Sequence, residues 1–408
     1  MKAHIVKRPR KNGGRVVGRR YYVVVELGRD PVTNKRTQKW HSAGNTKDEA
    51  DDTLLDILKE LNADTYIPPS NLTVSEYLDD YLRGLRKRFG QEGRRGLALG
   101  TWLDYRRVIE NHLKPELGSL KLTELKAHHV EKYEARMLEG GWAHWGKKGK
   151  GERKRGLSTT SVLKHHRVLS KALGDAIRKG LITSNPCDAV DAPAAAITDL
   201  RVLDADECAD LLRLSHKTPM EMPVLLALTT GMRAGEICAL RERACELDGD
   251  EGHIRVLRSA TEDEHGARIE TLPKYGKTRS ITIDRTTVAA LKARRTGRAV
   301  RNLRGDDYLV SDETGAPLSS NDLSAAWRSF AKQNGVKRLR FHDLRHSHAT
   351  MLAAAGEHPR VVQERLGHRD VAFTLRRYTA YWSNMQAGAA EKIERLFGAA
   401  IAPAARVD

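Results

Sequence analysis

The chain has 408 residues, and its 71 Lys+Arg against 53 Asp+Glu give a formal net charge of +18, so two or three domains are expected and the preferred partners are polyanions, nucleic acid above all. Four cysteines (Cys187, Cys208, Cys238, Cys245), none in a C-x-x-C pair, support neither a disulfide scaffold nor a zinc ribbon and point to a reducing cytoplasm. The longest apolar run, around PVLLAL, falls far short of the roughly 20 residues of a membrane span, and MKAHIVKRPRKNGGR lacks the apolar core of a signal peptide, so membrane and secretory classes are not expected.

Residues 1–63 read as a compact β-β-β-α unit: RRYYVVVELG is β-rich, RDPVTNKR is a turn, and TQKWHSAG is extended again. Thr46 and Glu49 have capping-box spacing, and Leu54, Leu55, Leu58 and Leu61 recur at helical intervals behind them. Lysines and arginines between Lys7 and Lys39 give the sheet a basic face. ADTYIPPS, with two prolines, reads as a linker. Helical periodicity then returns four times between about 71 and 186, opening on a second capping pair, Thr73 and Glu76, and predicts a four-helix bundle. Inside it, EGGWAHWGKKGKGERKRG (about 140–156) reads as a basic loop that touches phosphates. NPCDAVDAPAAAITDL is a second linker. From about 199 to 400 the pattern is mixed: DADECADLLRLS and PMEMPVLLALTTG read as helices, HIRVLRSAT, ARIETL and RSITID as short strands, and helices follow to the C-terminus. The fold class is therefore multidomain α+β.

Two motifs mislead. GWAHWGKK nearly fits a phosphate loop, but Lys148 stands where a Ser or Thr must hold magnesium. HDLRH sets His342 and His346 at i and i+4 as metal-binding helices do, yet Arg345 between them would repel a cation. What remains is a set of cations and polar donors in the last unit. In TTGMRAGEICAL, Gly231 ends a helix and Arg233 starts the next; in LPKYGKTRSITI, Lys274 and Lys277 flank Gly276 at a β-turn between strands. FHDLRHSHATMLAAAG puts His342 and Arg345 on one helix face, and LGHRDVAFTLRRYTAYW supplies His368 and, ten residues on, Tyr378. Two arginines, a lysine, two histidines and a tyrosine, with no carboxylate cluster, suit phosphodiester chemistry by fixed positive charge. Arginine forks hold the non-bridging oxygens, a tyrosine hydroxyl attacks, and a lysine protonates the leaving oxygen.

The first, third and fourth of these segments resemble, in order and spacing, the arginine box, the His-x-x-Arg box and the third-histidine-plus-tyrosine segment of the tyrosine recombinases, in particular integrases of phages and integrative elements. The resemblance implies that Arg233, His342, Arg345 and His368 clamp the scissile phosphate and shuttle protons. It makes Lys274 the general acid on a β-hairpin and Tyr378 the nucleophile, with Lys277 and Tyr381 as competitors for those two roles. Residues 199–400 become the catalytic domain, 71–186 a SAM-like core-binding domain and 1–63 an arm-type DNA-binding domain. No metal or nucleotide cofactor is implied. The implied partners are double-stranded DNA at core-type and arm-type attachment sites, a homotetramer on synapsed DNA, a host DNA-bending protein and an excision factor. The implied activity is cutting and rejoining of strands through a 3′-phosphotyrosine to integrate and excise a mobile element, in the cytoplasm. A silent DNA-binding regulator and a type IB topoisomerase-like enzyme are the alternatives. The segment NMQAGAAEKIERLFG, with Ile393, Leu396 and Phe397 at helical spacing, either docks on a neighbouring protomer or packs on its own domain.

Overall fold

The computed structural model describes residues 2–12, 15–29, 33–63, 66–68, 70–86, 98–140, 156–196, 201–249, 251–299, 307–312, 315–372, 375 and 393–397. The chain divides into two units, Met1–Ile197 and Thr198–Asp408.

The first unit opens with an antiparallel sheet, β1 (Lys2–Asn12), β2 (Arg15–Arg29) and β3 (Arg36–Ser42), with β2 in the middle. Its aromatic and β-branched run Tyr21–Val25 suits a pleated, half-buried central strand. Val23 and Val25 face helix α1 (Lys47–Asn62) and pack with Ala43, Ala50 and Ile57. The capping pair forms as expected: Glu49 N donates to Thr46 Oγ1 (3.3 Å) while Glu49 Oε2 accepts from Thr46 N (3.1 Å). Of the leucines at helical intervals, Leu54 and Leu61 pack against this core while Leu55 is 56% exposed, and Ala50 and Ile57 supply the buried positions. On the opposite face Tyr22 meets Trp40 edge-on (5.9 Å), and the Arg8 guanidinium lies 4.2 Å from the Trp40 ring centroid. Tyr66, within the expected linker, packs onto the sheet and its hydroxyl meets His41 Nε2 at 2.8 Å.

The bundle comprises α2 (Val74–Arg86), α3 (Leu99–Val108), α4 (Lys114–Leu117), α5 (Ala127–Glu139) and α6 (Thr159–Arg178). A π turn, Ile109–Leu113, joins α3 to α4 in one run just before Pro115, whose missing N–H disturbs the regular ladder. The apolar stripes of these helices meet in Tyr77, Leu78, Ile109, Leu113, Met137, Leu169 and Leu173. Two hydrogen-bonded polar pairs lie at that core, Tyr133 Oη with His165 Nδ1 and His166 Nδ1 with Glu134 Oε1, both at 2.8 Å. The packing runs past the expected start of the second linker: Pro186–Ala189 forms a 3₁₀ turn and buries Cys187 in the bundle. The expected basic loop, residues 141–155 above all, lies outside the described residues.

The second unit contains α7 (Ala205–Ser215), α8 (Glu221–Thr230), α9 (Ala234–Cys238), then β4 (Cys245–Glu246), β5 (Gly252–Val256), β6 (Ser259–Glu262), β7 (Arg268–Thr271) and β8 (Arg279–Ile283). After these come α10 (Arg285–Ala299), α11 (Ser320–Gln333), α12 (Phe341–Ala354) and α13 (Pro359–Leu366). The strand expected over HIRVLRSAT divides into β5 and β6, which join different sheets, β4-β5-β8 and the hairpin β6-β7. Helix α8 is apolar around most of its surface because it lies inside the unit, where Val224, Leu226 and Ala227 are almost wholly buried. Helix α12 packs against it. Among the described residues no helix is long and apolar enough to cross a membrane, and Ile393, Leu396 and Phe397 are exposed.

Candidate active site

Two left-handed glycines shape the site. Gly231 (φ 66°) ends α8, and the turn places Arg233 at the N-cap of α9; Gly367 (φ 64°) ends α13 and presents His368. Arg345, on α12 and only 2% exposed, reaches both turns: Nη1 donates to the Gly231 carbonyl and Nη2 to the Leu366 carbonyl (2.7 Å). Arg233 Nη2 donates to the Gly367 carbonyl at 3.1 Å. Two guanidinium groups from separate elements therefore converge on the turn that carries His368. His342 stands one turn before Arg345, its ring edge-on to His346 at 4.9 Å.

A Cβ at position 231 would lie 2.6 Å from His348 Cδ2 and 2.7 Å from Leu366 Cδ2, and would have to adopt a left-handed φ. Gly231→Ala should therefore destabilise the second unit by about 2–4 kcal/mol, combining backbone strain with overpacking. Thermal melting of the full chain checks this; an unchanged melting profile would contradict the packing described.

The electrostatics follow from burial among cations. His368 is nearly buried, and desolvation first, then Arg345 and Arg233, push its pKa down to about 3. His342 as a residue keeps solvent contact, but its imidazole is lowered to about 4 by the protein atoms around it and then by Arg345 and Arg233. Both rings are neutral at pH 7 and hold one donor and one acceptor nitrogen each. An arriving phosphate supplies opposite charge and raises both values towards the working range.

Glu236, 1% exposed, organises the cations. Its carboxylate accepts from the Arg233 backbone N (2.9 Å) and Nη1 (2.9 Å), and receives a two-pronged pair from Arg279 Nη1 (3.0 Å) and Nη2 (2.8 Å). Burial raises its pKa, but the Arg279 bonds and the charges of Arg279 and Arg233 outweigh that and bring it down to about 2. Arg279 Nε continues to the Arg365 carbonyl (2.8 Å), and Arg365 donates to the carbonyls of Thr229 (2.9 Å) and Thr282 (2.8 Å) and to His348 Nε2 (3.2 Å). His348 Nδ1 in turn meets the Leu228 carbonyl at 2.7 Å, which fixes the neutral tautomer with Nε2 as acceptor. Sequence reasoning did not single out Glu236, Arg279 or Arg365, and it met His346 only as half of a misleading metal motif. Glu236 could have been found from its capping distance of three residues after Arg233, whereas Arg279 and Arg365 carry no periodic signal.

The site thus brings together Arg233, His342, Arg345 and His368. Lys274 is placed differently from the expectation of a hairpin turn: it opens a 3₁₀ turn, Lys274–Gly276, that links β7 to β8 in separate sheets, past the true β6-β7 hairpin. Its Nζ lies 5.4 Å from the ring centroid of Tyr275, a residue held at φ 70°, and both Lys274 and Lys277 are exposed. Tyr378 and Tyr381 lie outside the described residues.

Residues 201–384 match the phage integrase family and residues 73–138 the phage integrase N-terminal SAM-like domain. The tyrosine recombinase XerC-like protein of Caldanaerobacter subterraneus subsp. tengcongensis is 23% identical over 93% of this chain and 97% of its own length. A tyrosine recombinase XerC of Xanthomonas campestris pv. campestris is 30% identical over 55% of this chain and 65% of its own length, and the integrase of Mycobacterium phage L5 is 25% identical over 76% and 78%. Among solved structures, the Tn1549 transposon integrase in complex with transposon right end DNA shares the fold with a TM-score of 0.62, at 21% identity over 80% of this chain and 99% of that one. A lambda integrase dimer bound to a COC′ core site gives 0.53 at 18% identity, over 89% and 93%. With residues 201–384 and 73–138, together more than half of its length, both matched, the chain belongs to the phage integrase family of tyrosine recombinases.

Proposed function

We propose that this protein is a site-specific recombinase that cuts and rejoins DNA strands to integrate and excise a mobile element. The observation that supports this most is the convergence of Arg233 and Arg345 on the turn bearing His368, with His342 alongside. Such a site binds a phosphodiester through two guanidinium forks and offers neutral imidazoles for proton transfer. In the proposed reaction the Tyr378 hydroxyl oxygen bonds to phosphorus and its proton passes to a site imidazole. The bond to the 5′ oxygen breaks as that oxygen takes a proton from Lys274. The products are a 3′-phosphotyrosine and a 5′-hydroxyl, and attack by the hydroxyl of a partner strand reverses the step, so the phosphodiester energy is conserved without an external source. Arg233 and Arg345 hold the charge that grows on the non-bridging oxygens.

Residues 71–186 take the core-binding role in this reading, and residues 1–63 the arm-type role, supported by the open face of the sheet where Arg8 stacks on Trp40 beside Tyr22. Both solved relatives named above carry DNA in their structures, which favours duplex DNA as the partner. Four protomers on two attachment sites, host bending and excision factors, and action in the cytoplasm complete the proposal. A silent regulator would have no need of a lysine acid and a tyrosine nucleophile in addition to the clamp.

The acid role gives a test. Lys274→Ala should slow strand cleavage by about 10²–10⁴-fold, and a substrate with sulfur in place of the bridging 5′ oxygen, a leaving group that needs no proton, should restore it. Lys277→Ala should stay near wild type on both substrates. If the sulfur substrate rescues Lys277→Ala instead, the acid is Lys277; if it rescues neither, the lysine acts otherwise.

A further inference from the structure

Close to the N-terminus of α12 the second unit holds a hollow of about 530 Å³, lined by Arg201, Arg328, Lys332, Arg338 and Arg340 with Asp343 as the sole acid among its lining residues. Arg340 grips Asp343 (Nη2 to Oδ1, 2.7 Å) and Arg201 pairs with Glu207 (3.1 Å). Among the described residues, no carboxylate stands within ion-pair distance of Arg328, Lys332 or Arg338. Arg328 and Lys332 are four apart on α11, where like charges repel across one face of the helix. Arg338 sits at φ 55°, a conformation that glycine takes more easily than an L side chain, and still presents a guanidinium. Both features oppose the isolated fold, and a polyanion relieves the repulsion between the cations. The hollow adjoins the candidate active site, since Arg340 lies two residues before His342 and its charge contributes to lowering that imidazole.

We propose that this hollow seats backbone phosphates of duplex DNA beside the phosphate held by Arg233 and Arg345, fixing the position of the duplex against the site. The proposal deepens, and rests on, the recombinase reading given above. Phosphate contacts of this kind fix orientation without reading sequence, so any duplex probes them.

The test is a salt titration of binding to a 30-base-pair duplex by the full chain, with Arg328→Gln/Lys332→Gln and Arg328→Glu/Lys332→Glu compared with wild type. Each lost phosphate contact lowers the slope of log K against log salt by about 0.9, so the glutamine pair should reduce it by about 2 and the glutamate pair by at least as much. Affinity near 0.1 M salt should fall at least about tenfold, with the melting temperature unchanged for the glutamine pair. An unchanged slope in both variants overturns the proposal. So does stabilisation of wild type, but not the variants, by tripolyphosphate with no change in slope, which would make the hollow a site for free polyphosphate. If the slope falls as expected but no DNA ever yields a protein–DNA adduct, the phosphate seat stands and the recombinase reading falls. If wild type binds no duplex, both fall.

Discussion

Replacing Arg345 by lysine should reduce strand cleavage by about 10²–10³-fold while DNA binding stays close to wild type, because the charge remains and the fork is lost. The wild-type guanidinium ties the carbonyls of Gly231 and Leu366 together from a position 2% exposed, so its plane is fixed before any substrate arrives. A lysine ammonium cannot span both carbonyls and still meet two phosphate oxygens in one plane. Arg345→Ala should do more damage. It leaves two buried carbonyls without their donor and opens a cavity, and the second unit should lose about 2–4 kcal/mol in addition to activity. Single-turnover cleavage together with thermal melting separates the two effects. A lysine variant that cleaves within about twofold of wild type would show that the fork is not what the reaction needs.

Glu236→Gln should destabilise the second unit by about 3–5 kcal/mol, since it removes the one negative charge buried between Arg233 and Arg279 and leaves two guanidinium groups uncompensated. The acid dependence has a definite sign. The carboxyl titrates at about 2 in the folded chain against an ordinary 4.5, so its stabilisation is complete above about pH 4.5 and is lost as the pH falls towards 2. At about 1.36 kcal/mol per pKa unit that loss amounts to roughly 3 kcal/mol. Melting curves should therefore show the variant well below wild type at pH 7, with the difference closing between pH 4.5 and 2. Equal melting temperatures at pH 7 would contradict the linkage of α9, β8 and α13 through Glu236.

Much of this was legible in the residues themselves. Thr46–Glu49 and Thr73–Glu76 announce helix starts because a cap is a local bargain between a hydroxyl and a carboxylate three residues apart. Gly231 announces a helix end for an equally local reason, and the spacing of His342 and Arg345 fixes their shared face. The clamp was legible as a set of residue types, but its assembly was not: Arg345 meets Gly231 across 114 positions and Arg233 meets Gly367 across 134. Arg279 and Arg365 were missed because each looks like an ordinary surface cation in its own segment and is partly covered only once β8 and α13 come together. The Lys274 turn was misread as a hairpin because two short β-like runs around a Lys-Tyr-Gly turn look the same whether the strands pair with each other or with different sheets. Periodicity alone does not say where on α1 the apolar arc is centred, and Leu55 falls outside it.

In the proposed reaction Tyr378 becomes covalently joined to DNA. The measurement is an SDS-resistant adduct assay on nicked duplexes drawn from DNA flanking the protein's own gene, with wild type, Tyr378→Phe and Tyr381→Phe compared. An adduct is expected with wild type and Tyr381→Phe and none with Tyr378→Phe; an adduct that survives in Tyr378→Phe, or that disappears only in Tyr381→Phe, would rule out Tyr378 as the nucleophile.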